Sequence, residues 1–160
     1  MTCNTLVIAI DPGRHGGIAL IGDGDCFDVV PMPDTPKDLL DYLRDSLSCA
    51  ERCVCYLEKV GGMPGNGASA MFNFGKGYGH IEMALLALEI PTVTVTPQAW
   101  QKEYSVGTSS ITRSSSAEKR EHKNKLKAKA QQLFPSLGKK VTLQTCDALL
   151  IGLYGARRER

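Results

Sequence analysis

The sequence predicts an α/β fold: a five-stranded mixed sheet, built from a three-strand antiparallel meander plus two parallel strands, flanked by helices. Three observations predict it. Residues 5–10 form an apolar, β-branched run that Asp11-Pro12-Gly13 stops, as in a strand buried on both faces. Residues 17–21 and 26–30 are short apolar runs joined by Gly22-Asp23-Gly24-Asp25, and tight Gly/Asp turns favour hairpins. Beyond them, helical and strand patterns alternate to the end of the chain.

The remaining elements follow in order. Asp34-Thr35-Pro36 offers a helix start, and Leu39, Leu40, Tyr42, Leu43 and Leu47 give that helix its apolar stripe. Residues 52–57 are the fourth strand, which ends at Glu58. After a glycine-rich loop, a helical pattern runs from 68 to about 88, weakened in its middle by Gly75, Gly77 and Gly79. Residues 91–95 are the fifth strand, and Thr96-Pro97 opens a short helix carrying Trp100. Residues 105–116, rich in Ser and Thr, read as a mobile loop. A basic helix over 117–134 and a last helix over 142–155 complete the chain. The connection between strands three and four is long enough to lay strand four parallel to strand one, and strand five follows likewise.

With 160 residues the chain is expected to form one domain, 1–160, large enough for a core without metal or disulfide staples. Its 42% apolar and 22% charged residues exclude disorder as the default. No apolar run approaches the roughly 18–20 residues of a membrane span. The first residues lack the basic and apolar segments of an export signal, so a cytoplasmic protein is expected. Six cysteines without a CxxC pair argue against structural zinc and for buried, reduced thiols. Charge is uneven: residues 1–60 hold ten acids and five bases, residues 61–160 seven acids and fourteen bases. That asymmetry suits a polyanion on one face, although a solvated helix produces it too.

Three acids stand at the edges of apolar elements. Asp11 follows strand one, Glu58 follows strand four, and Asp147 is the one charge between Lys140 and Arg157, beside Ala148-Leu149-Leu150-Ile151. Each has a plain reading, respectively a turn residue, a strand end reaching solvent and an acid in a first helical turn. The first two, however, fall at one sheet edge if strands one and four are parallel neighbours, and open α/β sheets place their sites there. Gathering like charges is costly unless Mg²⁺ or Mn²⁺ fills the gap. Such a cluster fits two-metal phosphodiester hydrolysis.

At these residues the sequence resembles the RuvC-type Holliday junction resolvases, within the RNase H-like nuclease superfamily, in their compact phage and bacterial form. The matching stretches are Ile8-Ala9-Ile10-Asp11-Pro12-Gly13 with Gly16-Gly17-Ile18-Ala19, and Glu58-Lys59-Val60 with Met63-Pro64-Gly65. They continue through Ser69-Ala70-Met71-Phe72-Asn73-Phe74-Gly75, Thr96-Pro97-Gln98-Ala99-Trp100-Gln101-Lys102 and Asp147-Ala148-Leu149-Leu150-Ile151. The resemblance implies an RNase H-like fold and a Mg²⁺-dependent homodimer that binds four-way DNA junctions and resolves them by paired nicks. It implies catalytic, metal-holding roles for Asp11, Glu58 and Asp147. Where the family carries an Asp or His about one turn before the last acid, this chain has Val141-Thr142-Leu143-Gln144. Gln144 is therefore the candidate fourth ligand, with Glu82 as another donor, unless three acids suffice.

The candidate DNA-binding residues surround that site. The loop after Glu58 contains Met63 and glycines that permit close approach to phosphate. Met71, Phe72 and Phe74 open the next helix; at least one of these aromatics is expected in the core, and the resemblance implies a base-unstacking wedge nearby. Lys119, Lys123 and Lys127 share one helix face, which is either solvated or on phosphate, and Lys59, Lys76 and Lys102 are further candidate phosphate contacts. Three rivals stand beside a junction-cutting enzyme: a junction-binding protein without cleavage, a related nuclease acting on RNA/DNA hybrids or other branched DNA, and an actin-like ATPase. The last is disfavoured because a second lobe is lacking.

Overall fold

The first strand is buried from Leu6 through Asp11, as its unbroken apolar run requires. A computed structural model describes residues 3–23, 25–61, 65–104, 106 and 115–160, with backbone alone at 26 and 27. In it, β1 (Cys3–Asp11) lies at the centre of one five-stranded sheet ordered β3-β2-β1-β4-β5. Leu6, Val7, Ile8 and Ile10 of β1 are all at most 1% exposed. Truncating one of them, as in Ile8→Ala, removes about 2–5 kcal/mol of stability.

The antiparallel and parallel halves fall where the connections dictate. β2 (Gly17–Gly22) pairs antiparallel with β1, and β3 (Asp25–Pro31) antiparallel with β2. β4 (Ala50–Glu58) runs parallel to β1, and β5 (Thr92–Val95) parallel to β4. The RNase H-like mixed sheet expected from the sequence is the one observed. Side chains alternate along each strand, so each face has its own core.

On one face, Leu6, Ile8, Ile10, Cys55 and Leu57 meet Leu39 and Leu43 of α1 (Pro36–Ser46) and Ile81 and Leu85 of α2 (Ala68–Ala87). On the other, Val7, Ala9, Val54 and Tyr56 meet α5 (Cys146–Ala156), with Trp100 of α3 (Pro97–Glu103) and Leu126 and Ala130 of α4 (Ser116–Leu133) in the same core. The Thr35 hydroxyl accepts from Asp38 N at the start of α1, and Ser115 forms a capping box with Glu118 at the start of α4.

The helix expected from 68 to about 88 is present over 68–87 and runs unbroken through Gly75, Gly77 and Gly79, because Ile81, Ala84 and Leu85 hold it on the core. Two details differ from the sequence expectation: the last helix begins at Cys146 rather than at 142, and short 3₁₀ turns stand at Leu47–Cys49 and Pro135–Lys140. The serine- and threonine-rich segment expected as a loop lies mostly outside the described residues. Cys3, Cys49, Cys53, Cys55 and Cys146 are free thiols, and no helix among the described residues is long and apolar enough to cross a membrane.

Candidate active site

Two strand ends and one helix start meet at one edge of the sheet. β1 and β4 are parallel and in register through Ile10 and Leu57, which places the next residues, Asp11 and Glu58, beside each other. By alternation Asp11 shares the face of Val7 and Ala9, and Glu58 that of Val54 and Tyr56. That is the face covered by α5, and Asp147 occupies its first turn. The three acids are buried, at 8%, 7% and 8% exposure in that order.

Glycines make this approach possible at two points. Gly13 adopts φ 102°, and the Phe74 ring lies 3.1 Å from where a Cβ would stand, so the turn after Asp11 packs on α2. At Gly17 a Cβ would lie 2.8 Å from the carbonyl oxygen of Gln144, so the lead into α5 presses directly on the start of β2.

The electrostatics follow from crowding acids in a dry place. Burial above all, then the charges of Asp147 and Glu58, hold the Asp11 carboxyl well above the usual carboxylate range; Lys123 opposes them. Burial also pushes Glu58 up, to about 7, against the hydrogen bond it accepts from Trp100. That bond runs from Trp100 Nε1 to Glu58 Oε1 at 2.9 Å, and the indole is fully buried. The Cys146 thiol donates to Asp147 Oδ1 at 3.4 Å. Burial, with the charge of Asp147, pushes that thiol up to about 12.

The cation among these acids is a lysine. Lys123 Nζ donates to Asp147 Oδ2 and stands 4.0 Å from Asp11 Oδ2. Burial works to lower its pKa, yet the two carboxylates outweigh burial and raise it. The oxygen donors of Asp11, Glu58 and Asp147 fit hard divalent ions such as Mg²⁺ or Mn²⁺, and buried like charges call for a cation. As the side chains stand, no three Asp, Glu, His or Cys among the described residues are arranged to hold an ion.

A cleft of about 1020 Å³ opens beside Asp11 and Glu58, walled by Arg14 and His15 of the turn after β1 and by Phe74 and His80 of α2. Arg14, His15 and His80 were not singled out from the sequence. The first two follow the Asp-Pro-Gly turn directly, and that adjacency was the available signal.

The other predicted residues are distributed around this centre. The half-buried Gln144 makes no side-chain hydrogen bond to the three acids, and Glu82 is exposed on α2. Met71 borders the cleft. Phe74 is half-buried and stacks on Tyr78 with ring centroids 6.4 Å apart, whereas Phe72 is 71% exposed. Lys59, Lys76, Lys102 and Lys119 are exposed and Lys127 is half-buried, so of the six candidate lysines Lys123 alone pairs with the acids. Met63 lies outside the described residues.

Sheet order, helix placement and an acid at the end of β1 define an RNase H-like α/β fold. Within that class the chain has the fold of RuvC. A Thermus thermophilus RuvC bound to a Holliday junction substrate superposes with a TM-score of 0.63 at 13% identity, over 98% of this chain and 96% of that one. A second T. thermophilus RuvC structure gives a TM-score of 0.55 at 16% identity, over 96% of both chains. At such identities the likeness establishes the fold. No family model and no curated protein matches the sequence.

Proposed function

We propose that this chain is a divalent-metal-dependent endonuclease that resolves four-way DNA junctions. The observation that carries the reading is the convergence of Asp11, Glu58 and Asp147, from three separate elements, at one buried sheet edge beside an open cleft. The RuvC likeness supplies the substrate class, since one of those structures holds a Holliday junction.

In this reading Asp11, Glu58 and Asp147 are the residues that would hold Mg²⁺ or Mn²⁺, and a bound ion would supply water activation and charge neutralisation for phosphodiester hydrolysis. Trp100 fixes the orientation of Glu58 through its indole N–H. Burial of all three acids excludes bulk water and strengthens every charge interaction among them. Arg14 and His15 stand on the cleft wall to meet phosphate, and the exposed lysines lend a sequence-independent attraction that salt weakens.

A homodimer belongs to the same proposal. Phe72, Met83 and Leu86 are 71%, 62% and 71% exposed, and their spacing puts them on one face of α2. Gly75 and Gly79 fall on that face too, with open space where their Cβ atoms would be, which gives a second copy's helix room to approach.

A second reading, junction binding without cleavage, draws on the Lys123–Asp147 pair and on the lack of a ready three-ligand set among the described residues. One assay separates the two. Labelled four-way junction and linear duplex are incubated with wild type and Asp11→Asn in Mg²⁺ or Mn²⁺. The enzyme reading expects paired nicks in the junction alone, at least about a hundredfold slower for the variant. Tight junction binding with no nicks in either metal establishes the second reading instead. Equal cutting of duplex removes the junction assignment.

A further inference from the structure

Lys123 differs from every other candidate lysine in where its charge is spent. Its ammonium donates to Asp147 Oδ2 and lies 4.0 Å from Asp11 Oδ2, with 32% of the side chain exposed against 12% for Asp11 and 11% for Asp147. The helix that carries it is fixed in place. Leu126 and Ala130, three and seven residues further along α4, share its face and are 1% and 0% exposed in the core. Lys123 thus reaches the acids from an anchored backbone.

An ammonium on these oxygens would repel a divalent ion held by the same carboxylates. Both would draw on Asp147 and Asp11, and in a partly buried site their repulsion is poorly screened. We propose that Lys123 is a tethered counter-cation: it holds Asp147 and Asp11 together in the metal-free protein and is displaced from them when a divalent ion binds. The inference rests on the metal-dependent reading above. It adds that the ion must compete with a residue of the chain itself, so metal affinity is set partly by α4.

The two readings fail differently. Mn²⁺ is titrated calorimetrically into wild type, Asp11→Asn, Lys123→Met and Lys123→Arg, each checked for folding by circular dichroism. Lys123→Met, which keeps the stem and removes the charge, is expected to bind Mn²⁺ about tenfold more tightly than wild type. Lys123→Arg, which keeps the charge, is expected to stay within about threefold of wild type. In a second measurement, acylation of Lys123 in the wild-type protein by an amine-reactive ester, read by mass spectrometry, is expected to speed up when Mn²⁺ is added.

Wild type that binds Mn²⁺ through Asp11, with Lys123→Met no tighter or Lys123→Arg as tight as the Met variant, overturns the tethered cation and leaves the metal site standing. Failure of wild type and Lys123→Met alike to bind Mn²⁺ overturns both. Should Lys123→Met not fold, the acylation decides: a rate unchanged or slowed by Mn²⁺ overturns the inference.

Discussion

The indole Nε1 of Trp100 donates to Glu58 Oε1 at 2.9 Å, tying the carboxylate that ends β4 to the helix that follows β5. Parallel pairing brings those elements together, with Glu58 opposite Val95. Trp100→Phe keeps most of the buried volume and removes the donor. It is expected to cost about 1–3 kcal/mol, because a buried carboxylate is left short of a partner. Without that bond, which holds the Glu58 pKa down, Glu58 should titrate higher. Urea melts give the first quantity. The acid limb of the cleavage–pH profile gives the second, and a limb that stays in place removes Trp100 from any control of Glu58.

Metal-free stability should depend on pH through Glu58 itself. Its folded pKa is raised from 4.5 to about 7, with burial as the main cause. The folded protein therefore holds a proton that the unfolded chain has released. The associated stability is fully present below about pH 4.5 and is lost as pH rises through about 7. The amount at stake is on the order of 3 kcal/mol. Glu58→Gln keeps an acceptor for Trp100 and cannot ionise. In chelator it should melt roughly 5–10 °C above wild type at pH 8 and close to it at pH 4.5. Parallel melting curves across that range would refute the assignment.

Much of this architecture could be read from residue pattern, and the reasons are local. The run before Asp11 has no polar break and so reads as a strand buried on both faces, and the length of the connection between strands three and four makes β1 and β4 parallel, which sets Asp11 and Glu58 at one edge. Asp147 was legible because no other charge interrupts its apolar helix. The Lys123–Asp147 pair was not legible. Lys119, Lys123 and Lys127 repeat along one helix face, and nothing in that spacing shows which of them meets a carboxylate 24 residues away. The Trp100–Glu58 bond spans 42 residues; the sequence lays β5 beside β4, but that the indole of the following helix reaches back to Glu58 is set only by how that helix packs. Local pattern fixes the elements, whereas the charge partners are set by how those elements pack.

The apolar face of α2 gives a prediction about assembly. If Met83 and Leu86 meet a second copy, replacing both with Asp buries unpaired charge in that contact and should split the dimer. Both side chains are exposed, so the fold itself should change by no more than about 0.5 kcal/mol. Sedimentation of wild type and Met83→Asp/Leu86→Asp measures the outcome. The double variant should sediment as a monomer with an unchanged circular dichroism spectrum and make single rather than paired nicks. A wild type that is already monomeric would dismiss the face as a self-association surface.

The contact between Gly17 and the lead into α5 gives a way to move the third acid without touching it. A Cβ at Gly17 would lie 2.8 Å from the carbonyl oxygens of both Gln144 and Val30, and both obstacles are backbone. Neither can rotate away as a side chain would, so Gly17→Ala forces β2 and the lead into α5 apart. Overpacking of this kind typically costs about 1–3 kcal/mol. For a chain of this size that lowers the melting temperature by several degrees, roughly 3–10 °C. Because Asp147 sits three residues after Gln144, the same displacement should carry its carboxylate away from Asp11 and Glu58. Calorimetric Mn²⁺ affinity is then expected to fall about tenfold while the protein stays folded. Gly61→Ala is the matched control, since a Cβ there meets nothing within 4 Å. If Gly17→Ala melts like the control and binds Mn²⁺ like wild type, the placement of Asp147 does not depend on this contact, and α5 is held at the site by its core packing alone.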